Sequence, residues 1–170
     1  MLTWFGVLFF TTLLGLMMGG LLVSKRNLPQ HKLILAVVIM FAGMTYVGML
    51  LGSIVSSFLS IIVIKLFMTI CAILFIFVCL SQFHSTLGFF YTKEKLVWAP
   101  LLVLFLLFGM EWAFADISPW VIILASLLFM GTMMAGTFVQ VMIQEKAWRI
   151  PYSAFIPFVW LLFIVIIKLV

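Results

Sequence analysis

The chain has 170 residues, 68% of them hydrophobic and 8% charged, with a net charge of +5 and a mean hydropathy of +1.45. A water-soluble domain carries roughly a quarter charged residues, so a single soluble core is excluded and lipid must cover most of this surface. Nor do the positive residues form a nucleic-acid face: they sit in short clusters between apolar runs, which is a membrane-topology pattern.

About 20 apolar residues are needed for a helix to cross a hydrocarbon core of about 30 Å. The first such run is 2–23. It lacks a basic leading segment and has the length of a full span, so no cleavable signal is expected. The basic stretch Lys25, Arg26 … Lys32 follows. From Leu33 to Leu80 the only charge is Lys65, a stretch too long for one span and right for two. The serine-rich segment "GSIVSSFLS" (52–60) marks the turn between them, giving spans 33–51 and 61–81.

After "QFHSTLGFFYTKEK" comes span 96–115, then the connector "DISP", where Ser118 is the expected N-cap and Pro119 the first helical residue of span 119–141. The stretch "QEKAWRIP" leads into span 151–167. The expected fold is thus an all-α, polytopic transmembrane helix bundle of about six spans forming a single membrane domain.

Orientation follows from charge. Lys25, Arg26, Lys32, Lys93, Lys95, Lys146 and Arg149 fall in the connectors after spans one, three and five. With six spans those three connectors lie on one side, whereas a five-span reading that merges spans two and three puts the basic loops on opposite sides and is rejected. The positive-inside rule then makes these loops cytoplasmic, puts both termini on the non-cytoplasmic side and points to the cell membrane. Trp4, Trp112 and Trp120 are expected as anchors at the outer interface, with Trp98 and Trp148 at the inner one. Trp160, following Pro157 in span six, is the exception, as a packing residue or the wall of a cavity opened by a proline kink.

Small residues four apart allow helix backbones to approach closely in lipid. Gly15 and Gly19, Gly48 and Gly52, and Gly131 and Ala135 have that spacing, so spans one, two and five are expected at the bundle centre, with spans three, four and six facing lipid. "GLMMGG" (15–20) also resembles "GTMMAG" (131–136). The distances from these motifs to the prolines that open the next spans differ, so the similarity does not establish a hairpin duplication.

Two charges lie within spans. Lys65 is roughly 24 Å of helix from Ser81, and Glu111 roughly 22 Å from Leu96, which places them at similar depth on neighbouring antiparallel spans. One reading is structural: a snorkelling lysine, paired with Glu111 as an interhelical clamp. The other is a polar site open to the outside, with Lys65 binding an anion or Glu111 exchanging a proton or cation. Asp116 reads as a connector residue, and the intramembrane threonines and Gln140 as satisfiers of helix backbone.

Cys71 and Cys79 have no metal-ligand or CxxC spacing, and the two histidines form no cluster. The chain carries no HExxH, GxSxG, Walker motif, GxGxxG or paired intramembrane carboxylates, so neither enzyme chemistry, metal nor cofactor is expected. The expected role is a non-catalytic subunit or assembly factor that associates with other membrane subunits or with itself. The alternative is a small oligomeric transporter using Lys65 and Glu111.

Overall fold

The computed structural model describes residues 2–23, 31–82, 95–146 and 155–169. These form six α-helices, α1 (Leu2–Leu22), α2 (His31–Val55), α3 (Ile61–Ser81), α4 (Trp98–Phe114), α5 (Val121–Lys146) and α6 (Ile156–Leu169), with a 3-10 turn at Lys95–Val97 before α4 and no strand. By length and composition α2, α3 and α5 can each cross a membrane, whereas the described apolar stretches Gly6–Leu22, Trp98–Phe114 and Ile156–Ile167 are shorter.

The helix ends have local causes. At Ser60 the backbone is extended and the side chain accepts a bond from the Ile62 N–H (3.4 Å), capping α3. The end of α4 is a Schellman motif: the Ile117 N–H reaches the Trp112 carbonyl and the Asp116 N–H the Ala113 carbonyl, both at 3.2 Å. Asp116 takes the left-handed position there, at φ 50. Regular helix in α5 begins at Val121, not at Pro119 as expected, because residues 118–120 are spent on turn hydrogen bonds. Pro157 lies in the first described turn of α6.

The helices form a closed ring in the order α1, α5, α2, α4, α3, α6, each packing mainly on its two neighbours. A ring has no central helix, which corrects the expectation that spans one, two and five form a centre. Indeed α4 supplies three of the six largest fully buried side chains, Trp112, Phe105 and Phe108. Trp112 is therefore a core residue and not the interface anchor expected of it, because it extends the stripe Leu101, Leu104, Phe105, Phe108 along the inner face of α4. Trp120, at 79% exposed, is a surface residue.

Two of these contacts bring backbones together. Along α1 and α5, a Cβ on Gly19 would overlap the Met133 carbonyl, and one on Gly136 the Leu16 carbonyl. Along α2 and α4, a Cβ on Gly109 would overlap the Thr45 carbonyl, and one on Gly48 the Leu106 carbonyl. Gly15 lies against Thr132 and Phe129, and Gly52 against Met110 and Ala113. Residue numbers rise together along both contacts, so α1 is parallel to α5 and α2 to α4. Gly131 and Ala135 are exposed, and nothing lies within 4 Å of where a Gly131 side chain would begin. They have the right spacing on the wrong face: the inner stripe of α5 passes through Phe129, Met133, Gly136 and Gln140.

These matched contacts belong to an internal repeat that relates α1–α3 to α4–α6. The buried positions of α2 are Ile34, Val37, Phe41, Thr45, Gly48, Met49 and Gly52. The same spacing recurs on α5 as Ile122, Ala125, Phe129, Met133, Gly136, Thr137 and Gln140, with Val121 the single addition. All six buried positions of α4, from Leu101 to Trp112, fall on buried positions of α1: Thr11, Leu14, Gly15, Met18, Gly19 and Leu22. On α3, Ile64, Met68, Cys71 and Ala72 match Pro157, Leu161, Ile164 and Val165 of α6. The close contacts obey the same register, Gly19–Met133 matching Gly109–Thr45 and Gly136–Leu16 matching Gly48–Leu106.

Exchanging α1 with α4, α2 with α5 and α3 with α6 maps the ring onto itself in reversed order. A rigid rotation does that only by turning the bundle end over end, so the repeat is inverted. At the α2–α5 contact, where equivalent helices meet, the equivalent rings Phe41 and Phe129 stack at 4.3 Å and 10°. Phe105 packs edge-on against both rings. Each of the major helix contacts (α1–α5, α2–α4, α3–α4, α1–α6, α3–α6 and α2–α5) joins one half to the other. "GLMMGG" and "GTMMAG" thus lie on helices that pack against each other, not on repeat equivalents.

Candidate functional site

An internal repeat separates what the fold requires from what it does not. Positions that match in both halves are explained by packing, and positions that differ in chemistry call for another account. At five places one end of the bundle carries polar chemistry: Tyr46 and Ser53 late in α2, Lys65 early in α3, Glu111 late in α4, and Asp116 in the turn before α5. The equivalents of Tyr46, Ser53, Lys65 and Glu111 are Met134, Val141, Phe158 and Leu21, and the last two are buried at 4% and 1%. The fold thus accepts hydrocarbon at these positions, and the polar residues are departures from it.

Lys65 and Glu111 are both half-buried and lie on the packed pair α3 and α4. The Cys71 thiol donates to the Pro100 carbonyl oxygen at 3.3 Å and fixes the register of that pair. From this contact Lys65 is six residues along α3 and Glu111 eleven along α4, roughly 9 Å and 16 Å at the helical rise. The two are therefore not at one depth, as counting from the span ends suggests, but more than a turn apart. Side chains on a helix tilt toward its N-terminus, which carries the Lys65 stem toward the level of Glu111.

A cavity of about 410 Å³ opens on another side of α4, lined by Tyr46, Met49, Leu50 and Ser53 of α2, Ala113 of α4 and residues 116–119 of the turn. Its rim is polar, with the exposed Asp116 and Ser118, and its floor is apolar, at Met49 and Ala113. The Ser53 hydroxyl donates to the Leu50 carbonyl at 2.8 Å, leaving its lone pairs toward the surroundings. The cavity is not visible in the sequence because its polar members are single residues on separate elements. They meet only through the α4–α5 turn.

Polar groups deeper in the bundle are few. Thr11, Thr69 and Thr132 donate back to helix carbonyls at 2.8–2.9 Å, and Thr12 and Thr137 at 2.6 Å. Thr45 departs from that expectation. Its hydroxyl is buried without a hydrogen-bond partner, as are the Trp112 indole N–H and the Ser126 hydroxyl. Cys71 and Cys79 are buried free thiols on one helix, and among the described residues no group of three or more His, Cys, Asp or Glu is placed to hold a metal. His31 is an exposed residue at the start of α2, while His84 lies outside the described residues.

Near the opposite end of the bundle a smaller groove of about 130 Å³ lies between α5 and α6, floored by Gly20 of α1 and walled by Gln140, Pro157 and Trp160. Trp160 is thus half-exposed and walls a groove. Comparison with protein-family models, curated proteins and solved structures finds no match to this chain.

Proposed function

We propose that this protein is a small integral membrane carrier that crosses the bilayer six times and works through its outer-end polar residues, with Lys65 and Glu111 as the polar pair. The observation that carries the reading is the interlocked inverted repeat with chemistry gathered at one end. Inverted repeats recur among secondary transporters because two equivalent halves exchange roles when a bundle opens first to one side and then to the other. Charged residues in the membrane are costly and mark pathways, and here they are the residues the repeat does not require.

Six crossings, with both termini outside and the basic loops in the cytoplasm of a cell membrane, are part of this proposal. The parallel pairs α1–α5 and α2–α4 support it, since helices separated by an even number of crossings must run the same way. Charge supports it too. The connector holding Lys25 and Arg26 is equivalent by the repeat to the one holding Asp116, and a half inserted upside down should have its charge bias reversed.

The test is flux. Purified protein in liposomes is expected to move a charged solute, and Lys65→Ala or Glu111→Gln to abolish the movement while the protein still folds. Unchanged flux in both variants overturns the assignment of the pair. A second reading, as a non-catalytic subunit of a larger membrane complex, is favoured by the filled interior around Phe41, Phe105 and Phe129. In that case gentle extraction and native mass measurement yield a heteromeric species, and purified protein alone moves nothing.

A further inference from the structure

We propose that the 410 Å³ cavity between α2 and the α4–α5 turn is a binding site for a small organic ammonium group, held by the Asp116 carboxylate and the Tyr46 ring. The chain is strongly basic, at +5, yet the charge on the wall of this cavity is a carboxylate. An aromatic face beside a carboxylate, above an apolar floor, is the combination that receives alkylated ammonium. The anion supplies charge, the ring attracts the cation through its quadrupole, and the floor covers the alkyl groups. The volume suits a small ligand.

Two further observations point to function over packing. The repeat places Met134 where Tyr46 stands and Val141 where Ser53 stands, so the ring with its hydroxyl and the serine are not demanded by the fold. Asp116 occupies the left-handed residue of a Schellman motif, at φ 50, where glycine is the least strained choice. A carboxylate is kept at a position that the backbone would give to glycine.

Ammonium groups reach such a site either as free solutes or as lipid headgroups, and the experiment separates the two. Full-length protein is placed in nanodiscs of phosphatidylglycerol, which has no ammonium, and titrated with choline and with its neutral isostere 3,3-dimethylbutan-1-ol. Saturable binding of choline but not of the isostere is expected, weakened by up to roughly fivefold by Asp116→Asn, the upper end for one exposed charge pair, and also weakened by Tyr46→Leu. Asparagine accepts the left-handed conformation, so Asp116→Asn keeps the turn and removes only the charge. If phosphatidylethanolamine in the nanodisc displaces choline, the site takes a headgroup; if it does not, the site takes a free solute. No saturable choline binding, equal binding of the isostere, or an unchanged affinity in Asp116→Asn overturns the proposal. Binding is read without flux, so it stands or falls separately from the carrier assignment.

Discussion

Thr45 and Asp116 each hold a position that another residue would fill at lower energy, and each makes a testable case. The Thr45 hydroxyl is fully buried between α2 and α4 with no partner, although a threonine in a helix ordinarily donates to the carbonyl one turn back. A buried hydroxyl without a bond carries a desolvation cost of about 1–3 kcal/mol, and replacing it with an apolar group of the same shape relieves that cost. Thr45→Val is therefore expected to raise the midpoint of thermal unfolding in detergent, and a lowered midpoint shows that the hydroxyl is bonded after all. Asp116→Gly is expected to raise it slightly, because glycine takes the left-handed region without steric cost, although aspartate is among the few L-residues that tolerate it. The same substitution is expected to remove choline binding. Stability and binding moving in opposite directions at one residue is what a functional departure from the fold predicts.

At the scale of the helix, glycine spacing alone does not identify a contact face. Gly15–Gly19, Gly48–Gly52 and Gly131–Ala135 look alike in the sequence, yet only the first two pairs meet a neighbouring backbone. Adjacent positions such as Ala135 and Gly136 point about 100° apart on a helix, and an apolar run gives little amphipathic contrast by which to choose between them. A methyl group on Gly19 or Gly109 has to push a carbonyl aside, so Gly19→Ala and Gly109→Ala are each expected to cost about 1–3 kcal/mol, the range for overpacking. Because the repeat makes the two contacts equivalent, the two losses are expected to be similar. Gly131→Ala is expected to be neutral or slightly stabilising, since alanine is the better helix former. Equal losses at all three positions in unfolding measurements would leave the contact faces described above without support.

Six apolar runs and the two described turns, at 56–60 and 115–120, are legible in the sequence, because hydropathy and serine or proline punctuation report them directly. Lys65 and Glu111 were legible as charges within apolar runs. Their register was not, because it depends on where α3 and α4 touch, at Cys71 and Pro100. The inverted repeat was hidden for a related reason. Hydrocarbon side chains substitute for one another freely, so Ile34, Phe41, Gly48 and their equivalents Ile122, Phe129 and Gly136 stand out only once burial picks them from the surrounding apolar residues. Trp112 was misplaced because a tryptophan near the end of a span is a common anchor, while the inward stripe it belongs to is a three-dimensional property.

For the whole molecule, the ring order has a consequence for folding. Since the major helix contacts run between halves, neither α1–α3 nor α4–α6 has a core of its own: α4 lies between α2 and α3, and α1 between α5 and α6. In lipid the separate helices are already stable, and association rests on close packing and hydrogen bonds between them. A half-molecule is thus expected to insert and then remain unassembled. Splitting the chain in the connector between residues 82 and 95 cuts none of the described helix contacts, so fragments 1–88 and 89–170, expressed together, are expected to co-purify as one complex. Fragment 1–88 expressed alone is expected to be rapidly degraded or to aggregate. Under the proposed topology its own second copy is a poor substitute for the missing half, because the partner must insert in the opposite sense and the Lys25–Arg26 connector would then face the wrong side. Co-purification also has to depend on the packed glycines: Gly109→Leu in the second fragment is expected to abolish it, and Gly131→Leu to leave it intact. Fragment 1–88 forming a stable, monodisperse monomer would show that a half can build its own core, and the interlocked ring would not stand.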